Sequence, residues 1–107
     1  EGTVYVSDKK IILNIWAKNA TDTDIVTLVV NNKVVLSEFT LGGAGNKKEL
    51  SLKLDNEGYN YILLYINDPG NVSPTEAMVT IDDGTGEQEM TLTADLTYCG
   101  ATNIYVQ

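Results

Sequence analysis

Residues 59–66 read Tyr-Asn-Tyr-Ile-Leu-Leu-Tyr-Ile and form the longest apolar strand that the sequence predicts. Successive side chains of a β-strand point to opposite sides of the sheet, so a period of two divides this segment into two faces. One face carries Tyr59, Tyr61, Leu63 and Tyr65, and the other carries Ile62, Leu64 and Ile66. Only one of these faces can belong to the principal core, so the other lies outside it.

The same alternation continues on both sides of this segment and predicts about nine short strands in total. The others lie around Val4–Val6, Ile11–Trp16, Asp24–Val30, Val34–Leu41, Glu49–Leu54, Ala77–Ile81, Glu89–Thr93 and Asn103–Val106. No window has the repeat of an amphipathic helix. Asn31 and Asn32 predict a two-residue hairpin turn, because Asn tolerates the positive φ of a type I′ turn.

Short strands with frequent turn signals are typical of an antiparallel β-sandwich, immunoglobulin-like or jelly-roll in style. A chain of 107 residues has the length of one domain, which we place at residues 1–107. The expected core consists of Val4, Val6, Leu13, Ile15, Val26, Leu28, Val30, Leu50, Leu52, Ile62, Leu64, Val79, Ile81, Met90 and Leu92.

The charge balance excludes several classes of partner. The chain has 15 acidic residues against 7 basic ones, which are all Lys, and its net charge is −8. A nucleic-acid interface needs a basic surface, and Arg is the usual reader of guanine, so we expect no nucleic-acid binding. Anionic membranes and phosphorylated ligands are disfavoured for the same reason, and no apolar run is long enough for membrane insertion by a helix. A neutral ligand, a cation or a basic partner fits this charge.

The residue types present argue against catalysis. Without His the chain can build no Ser-His-Asp site and no His-based metal site. The lone Cys99 cannot form an intrachain disulfide, and we expect it to be a buried small side chain. Opposed carboxylates hydrolyse glycosides when a cleft holds them at a defined separation, but nothing singles out one pair among the acids. We therefore expect a protein that is not an enzyme.

Tyrosines supply the first candidate binding site. If the Ile and Leu face of residues 59–66 is the core, then Tyr59, Tyr61 and Tyr65 form an exposed platform. Flat aromatic rings stack on the apolar C–H faces of sugars, and phenols bond to hydroxyl groups. Trp16 is a further candidate for stacking. The alternative is that the Tyr rings pack under loops or at the sandwich edge and that Trp16 belongs to the core.

Acidic loops supply a second candidate site. Asp22 and Asp24 stand two residues apart before a predicted strand, and Asp68 lies in a long loop. Calcium takes six to eight oxygen ligands, so carboxylates from neighbouring loops suit it. The spacing does not match an EF-hand. The alternative is that these Asp residues form turns and keep the surface soluble.

Two segments resemble a family of secreted or surface bacterial β-sandwich modules. Trp16–Leu36 resembles the pattern WDNxxxDGDxVSLxLNGxxL. Within Tyr59–Val106, the IDDG turn at Ile81–Gly84 and the GATN segment at Gly100–Asn103 resemble the second half of the family pattern. The chain departs from the pattern at Ala17, where the family has Asp, and at Thr23, where it has Gly. If that Asp binds a metal in the family, this chain has lost a ligand.

A looser similarity, in predicted fold and acidity, is to small calcium-dependent carbohydrate-binding modules. Together these observations favour a non-catalytic binding module of a secreted or cell-surface bacterial protein. The expected partner is a polysaccharide or surface glycan, with calcium as the only cofactor to consider. The alternative is a structural or adhesive module that contacts another protein domain through its strand edges. The chain begins at Glu1, as a trimmed mature domain or an excised module would.

Overall fold

A computed structural model describes residues 2–19, 24–68, 70 and 74–107. Over these residues the fold is all-β, with nine strands and no helix. The strands are β1 (Thr3–Val6), β2 (Lys10–Ala17), β3 (Ile25–Val30), β4 (Lys33–Thr40), β5 (Lys48–Lys53), β6 (Gly58–Asp68), β7 (Thr75–Asp82), β8 (Glu87–Ala94) and β9 (Gly100–Val106). Each predicted strand is present, which confirms the all-β fold. No helix in this part of the chain is long and apolar enough to cross a membrane.

The strands form two sheets that pack as a β-sandwich. The five-stranded sheet has the order β1-β9-β6-β3-β4, and the four-stranded sheet has the order β5-β2-β7-β8. In the described structure β1 runs parallel to β9, and the other pairings are antiparallel. The predicted antiparallel sandwich is therefore confirmed except at this one edge.

Two hairpins connect strands within a sheet, β3 to β4 and β7 to β8, and the remaining connections pass from one sheet to the other. The β3–β4 turn is the predicted one, because Asn31 and Asn32 have φ values of 50° and 66°. Glu38 also has a positive φ, of 44°, where the pairing of β3 with β4 shifts register. Its backbone N–H donates to Thr27 Oγ1 at 3.2 Å, so a bulge interrupts this edge strand.

The core lies between the two inner faces. From the five-stranded sheet it takes the Ile62, Leu64 and Ile66 side of β6, together with the alternate residues of β1, β3 and β9. From the four-stranded sheet it takes the inner residues of β2, β7 and β8. Three residues that we expected in the core are only half-buried against it, namely Leu50, Leu52 and Met90. They lie on β5 and β8, the two edge strands of their sheet, where one flank has no neighbouring strand.

Side chains join the two sheets where β1 comes close to the β7–β8 turn. The backbone N–H of Ser7 donates to Asp83 Oδ2 at 2.8 Å, and Gln88 Nε2 donates to the carbonyl oxygen of Tyr5 at 2.6 Å. These bonds use polar groups that an edge strand would otherwise expose. Hydrogen bonds from Thr85 and Ser7 hold the pKa of Asp83 well below its usual range.

Cys99 differs from expectation. It is half-buried rather than fully buried, and it is a free thiol. It stands between the Asp95–Tyr98 bridge and the first residue of β9, so it lies in a short connection at the end of the sandwich and not on an inner strand face.

Candidate functional site

The outward side of the five-stranded sheet carries five of the six tyrosines of the chain. Because the aliphatic side of β6 belongs to the core, the other side of that strand faces solvent. Tyr59 and Tyr65 are 47% and 45% exposed, and Tyr61 is half-buried. The neighbouring strands add Tyr5 from β1 and Tyr105 from β9, which are 55% and 38% exposed. We call this surface the tyrosine face.

Three rings of the tyrosine face form a row across the strands. Tyr5 lies opposite Tyr105 in the β1–β9 pair, and Tyr105 lies opposite Tyr59 in the β9–β6 pair. The Tyr5 and Tyr105 ring centroids are 6.0 Å apart, and those of Tyr105 and Tyr59 are 5.5 Å apart. Tyr61 extends the group along β6, with its centroid 6.1 Å from that of Tyr59. Contacting aromatic rings on a sheet hold one another in place.

Amide and hydroxyl groups lie beside these rings. The Tyr59 hydroxyl donates to Asn103 Oδ1 at 3.0 Å, which fixes the direction of that phenol. Further along the same face, Thr27 Oγ1 donates to Asn67 Oδ1 at 2.8 Å. The face therefore combines apolar ring area with neutral hydrogen-bonding groups whose orientation is already set.

The outward positions of β1, β9, β6 and β3 carry one charged residue, Asp68, which ends β6 opposite Ile25. The other outward positions hold Thr3, Tyr5, Ala101, Asn103, Tyr105, Tyr59, Tyr61, Leu63, Tyr65, Asn67, Ile25, Thr27 and Val29. The same chain carries 15 acidic and 7 basic residues. Glu38, at the β4 bulge, is a further acidic residue at the margin of the face. Exposed tyrosines grouped on a face with so little charge are typical of an interaction site.

Trp16 does not form part of an exposed platform. Its side chain is only 6% exposed, and Lys47 Nζ lies 4.1 Å from the ring centroid. It occupies an outward position of β2, opposite Met78 on β7. In this conformation little of Trp16 is open to a ligand, because the ring is buried and a cation lies over its face.

Of the three predicted metal ligands, Asp24 and Asp68 lie among the described residues and Asp22 lies outside them. Asp24 is fully buried, and its Oδ1 accepts a bond of 3.0 Å from Thr75 Oγ1. Asp68 is exposed, and its Oδ1 accepts the Gly70 N–H at 2.9 Å, as in a turn. Within residues 2–19, 24–68, 70 and 74–107, no group of three or more His, Cys, Asp or Glu side chains could hold a metal ion.

A cleft of about 570 Å³ lies at one end of the four-stranded sheet. The cleft is lined by Lys10, Lys53, Asp82 and Asp83, together with Ile12 and Ser51. Asp82 Oδ1 accepts the Gly84 N–H at 2.8 Å, and Asp83 Oδ1 accepts the Thr85 N–H at 3.0 Å. These carboxylates therefore stabilise their own turn. The lowered pKa of Asp83 is opposite to the raised pKa of a general acid.

Sequence reasoning missed Tyr5 and Tyr105. Both alternate with core valines or isoleucines, so the signal that places a side chain on the outer face was present in each segment. Their importance depends on the order β1-β9-β6, which brings residues from both ends of the chain beside Tyr59.

Comparison of the chain with protein-family models, with curated proteins and with solved structures gives no match. The candidate site is therefore argued from its own geometry and chemistry.

Proposed function

We propose that this protein is a non-catalytic binding module that takes a carbohydrate on the tyrosine face. The observation that carries the proposal is the outward side of the five-stranded sheet, on which Tyr5, Tyr105, Tyr59, Tyr61 and Tyr65 lie together on strands that contain no Lys. Aromatic rings bind the C–H faces of pyranose sugars, and phenols and amides bind their hydroxyl groups. A surface glycan bound by a secreted or cell-surface protein is the partner we propose.

Charge supports a glycan over other extended ligands. The net charge of −8 repels polyanions, whereas a neutral sugar chain experiences no such repulsion. Binding needs no metal at this face, because the aromatic and amide groups are contributed by the strands themselves. Calcium remains a separate proposal for the acidic loops, tested by the change in melting temperature on adding millimolar calcium to chelator-treated protein.

Affinity electrophoresis tests the glycan proposal. The protein is run through native gels that contain soluble polysaccharides, and we expect retardation in at least one neutral polysaccharide. Tyr59→Ala should reduce the retardation, whereas Tyr98→Ala should not, because Tyr98 is 48% exposed but lies outside the tyrosine face. Equal mobility of wild-type protein in every polysaccharide gel and in the blank gel would remove the proposal.

The second candidate is a structural or adhesive module that contacts another protein. Edge strand β4 supports it, because Val34 is 61% exposed there and the outer flank of the strand pairs with no other described strand. Exposed edges of this kind accept an added strand. Size-exclusion chromatography with light scattering separates the candidates: a concentration-dependent dimer that Val34→Lys abolishes would favour the adhesive module.

A further inference from the structure

We infer that the ligand is a neutral, linear polysaccharide whose chain crosses strands β1, β9 and β6 over the row Tyr5, Tyr105 and Tyr59. This inference rests on the proposed function and adds to it the ligand class and its direction. A chain on the tyrosine face has two directions available, across the strands or along β6, and the two use different tyrosines.

The ring contacts favour the path across the strands. Tyr105 lies in the middle of the row and contacts both Tyr5 and Tyr59, at centroid distances of 6.0 and 5.5 Å. Each of these steps is close to the length of one pyranose unit in an extended glycan. Along β6 the aromatic path is interrupted, because Leu63 stands between Tyr61 and Tyr65. The longest straight run of contacting rings is therefore the row of three, and Tyr61 adds a fourth ring beside Tyr59.

The row is also set in place before binding. The register of β1, β9 and β6 puts the three Cα positions directly opposite one another, and Asn103 fixes the Tyr59 hydroxyl at 3.0 Å. Tyr side chains that are already ordered lose little conformational entropy when a ligand stacks on them. The row ends at β1, which is an edge strand of the sheet, so a chain can continue beyond Tyr5 as a polymer would.

The absence of positive charge on the outward positions determines the ligand class. The described outward positions of β1, β9, β6 and β3 offer no Lys to pair with a uronate or sulfate group. An acidic polysaccharide would therefore leave its charges unpaired beside an acidic protein. We expect neutral chains to bind and acidic chains of similar length to be excluded.

The test uses isothermal titration with hydroxyethyl cellulose, glucomannan and polygalacturonate on the full 107-residue chain. We expect binding of a neutral polymer and none of polygalacturonate. Tyr105→Ala should weaken binding about tenfold or more, since removing the central ring of a stacked row is a typical hot-spot loss. Tyr65→Ala should weaken binding clearly less than Tyr105→Ala does, and Tyr105→Phe should retain most of the affinity, because the ring remains. Tyr98→Ala, outside the tyrosine face, is the control and should leave the affinity unchanged.

The other outcomes would contradict either this inference alone or the proposed function with it. If Tyr65→Ala weakens binding as much as Tyr105→Ala does, the chain follows β6, and the inference fails while the proposed function stands. Tight binding of polygalacturonate would overturn the ligand class in the same way. If wild-type protein binds none of the three polymers, the proposed function fails together with this inference. Thermal melts of each variant show that a loss of binding is not a loss of folding.

Discussion

The outward sides of the two sheets differ sharply although both follow the same strand alternation. The four-stranded sheet presents charged side chains at many outward positions, namely Lys10, Lys53, Glu49, Glu76, Asp82, Glu87 and Glu89. Apart from Asp68 at the end of β6, the corresponding positions of β1, β9, β6 and β3 in the five-stranded sheet hold tyrosines, aliphatic residues and neutral polar residues. The charged outward side of the four-stranded sheet is the usual solvated side of an antiparallel sheet.

This difference is what the proposed binding of a neutral ligand by an acidic protein would need. Charged side chains are concentrated on the four-stranded sheet and on the turns, and the strands that carry the tyrosine face hold one, Asp68 at the end of β6. The one large aromatic residue on the opposite side, Trp16, is covered by Lys47. Exposed aromatic area is therefore concentrated on one side of the sandwich.

The largest expected effect concerns the two sides of β6. Leu64 is fully buried and Leu63 is half-buried on the tyrosine face. Leu64→Ala should lower the free energy of unfolding by about 2–5 kcal/mol, because it removes buried methyl groups and leaves a cavity. Leu63→Ala should cost clearly less. Urea denaturation measures both, and equal losses would mean that the outward side of β6 contributes to stability as its inner side does.

Next in size is the effect of placing a charge on the tyrosine face. Tyr105→Asp should weaken polysaccharide binding by about tenfold or more, since it removes the central ring and adds an unpaired carboxylate. Ser51→Asp is the matched control, because Ser51 is an exposed outward residue of β5 in the four-stranded sheet. Affinity electrophoresis compares them, and an equal loss in both variants would contradict the distinction between the two sides.

A smaller effect is expected at Trp16. Lys47→Ala should reduce the free energy of unfolding by about 0.5–1 kcal/mol, the usual size of a cation–π contact at a surface. Acrylamide should then quench Trp16 fluorescence more strongly, and polysaccharide binding should not change. Lys53→Ala, an exposed Lys on the same sheet, serves as the control. Unchanged quenching in Lys47→Ala would show that the Lys47 side chain does not cover the ring.

The smallest effect is a pH dependence at Asp83. Its pKa in the folded protein lies well below the ordinary value of 3.8, because Thr85 and Ser7 donate hydrogen bonds to the carboxylate. A lowered pKa stabilises the fold above the unfolded-state value, and that stabilisation is lost as pH falls from about 4 toward the folded-state pKa. Asp83→Asn should therefore be less stable than wild type at pH 6, and the gap should narrow at pH 3. Urea unfolding at both values measures the gap, with Glu89→Gln as the control.

Much of the fold could be predicted because its signals are local. Alternation in residues 59–66 identifies β6, and the Asn31-Asn32 pair identifies the β3–β4 turn from the need for positive φ. The candidate site could be predicted only in part. Tyr59, Tyr61 and Tyr65 lie on one strand and share a face in any arrangement, whereas Tyr5 and Tyr105 join them only through strand pairing.

Trp16 shows what a local pattern cannot predict. The alternation of β2 places Trp16 on an outward position. Whether that position is open to solvent depends on Lys47, which lies 31 positions further along the chain. Asp24 is a second example, because it accepts a hydrogen bond from Thr75, which belongs to the distant strand β7. Contacts of this kind carry no signal in a local pattern.

The sequence alone determined that the chain is made of strands, which residues alternate on each strand and that the protein is acidic without His or Arg. These properties follow from residue types and from neighbours a few positions apart. The tertiary structure decided which side of β6 is the core, how β1, β9 and β6 lie side by side, and that five tyrosines share one sheet surface. The reason is that strand order results from pairing between segments far apart in the chain, which maximises burial over the whole sandwich.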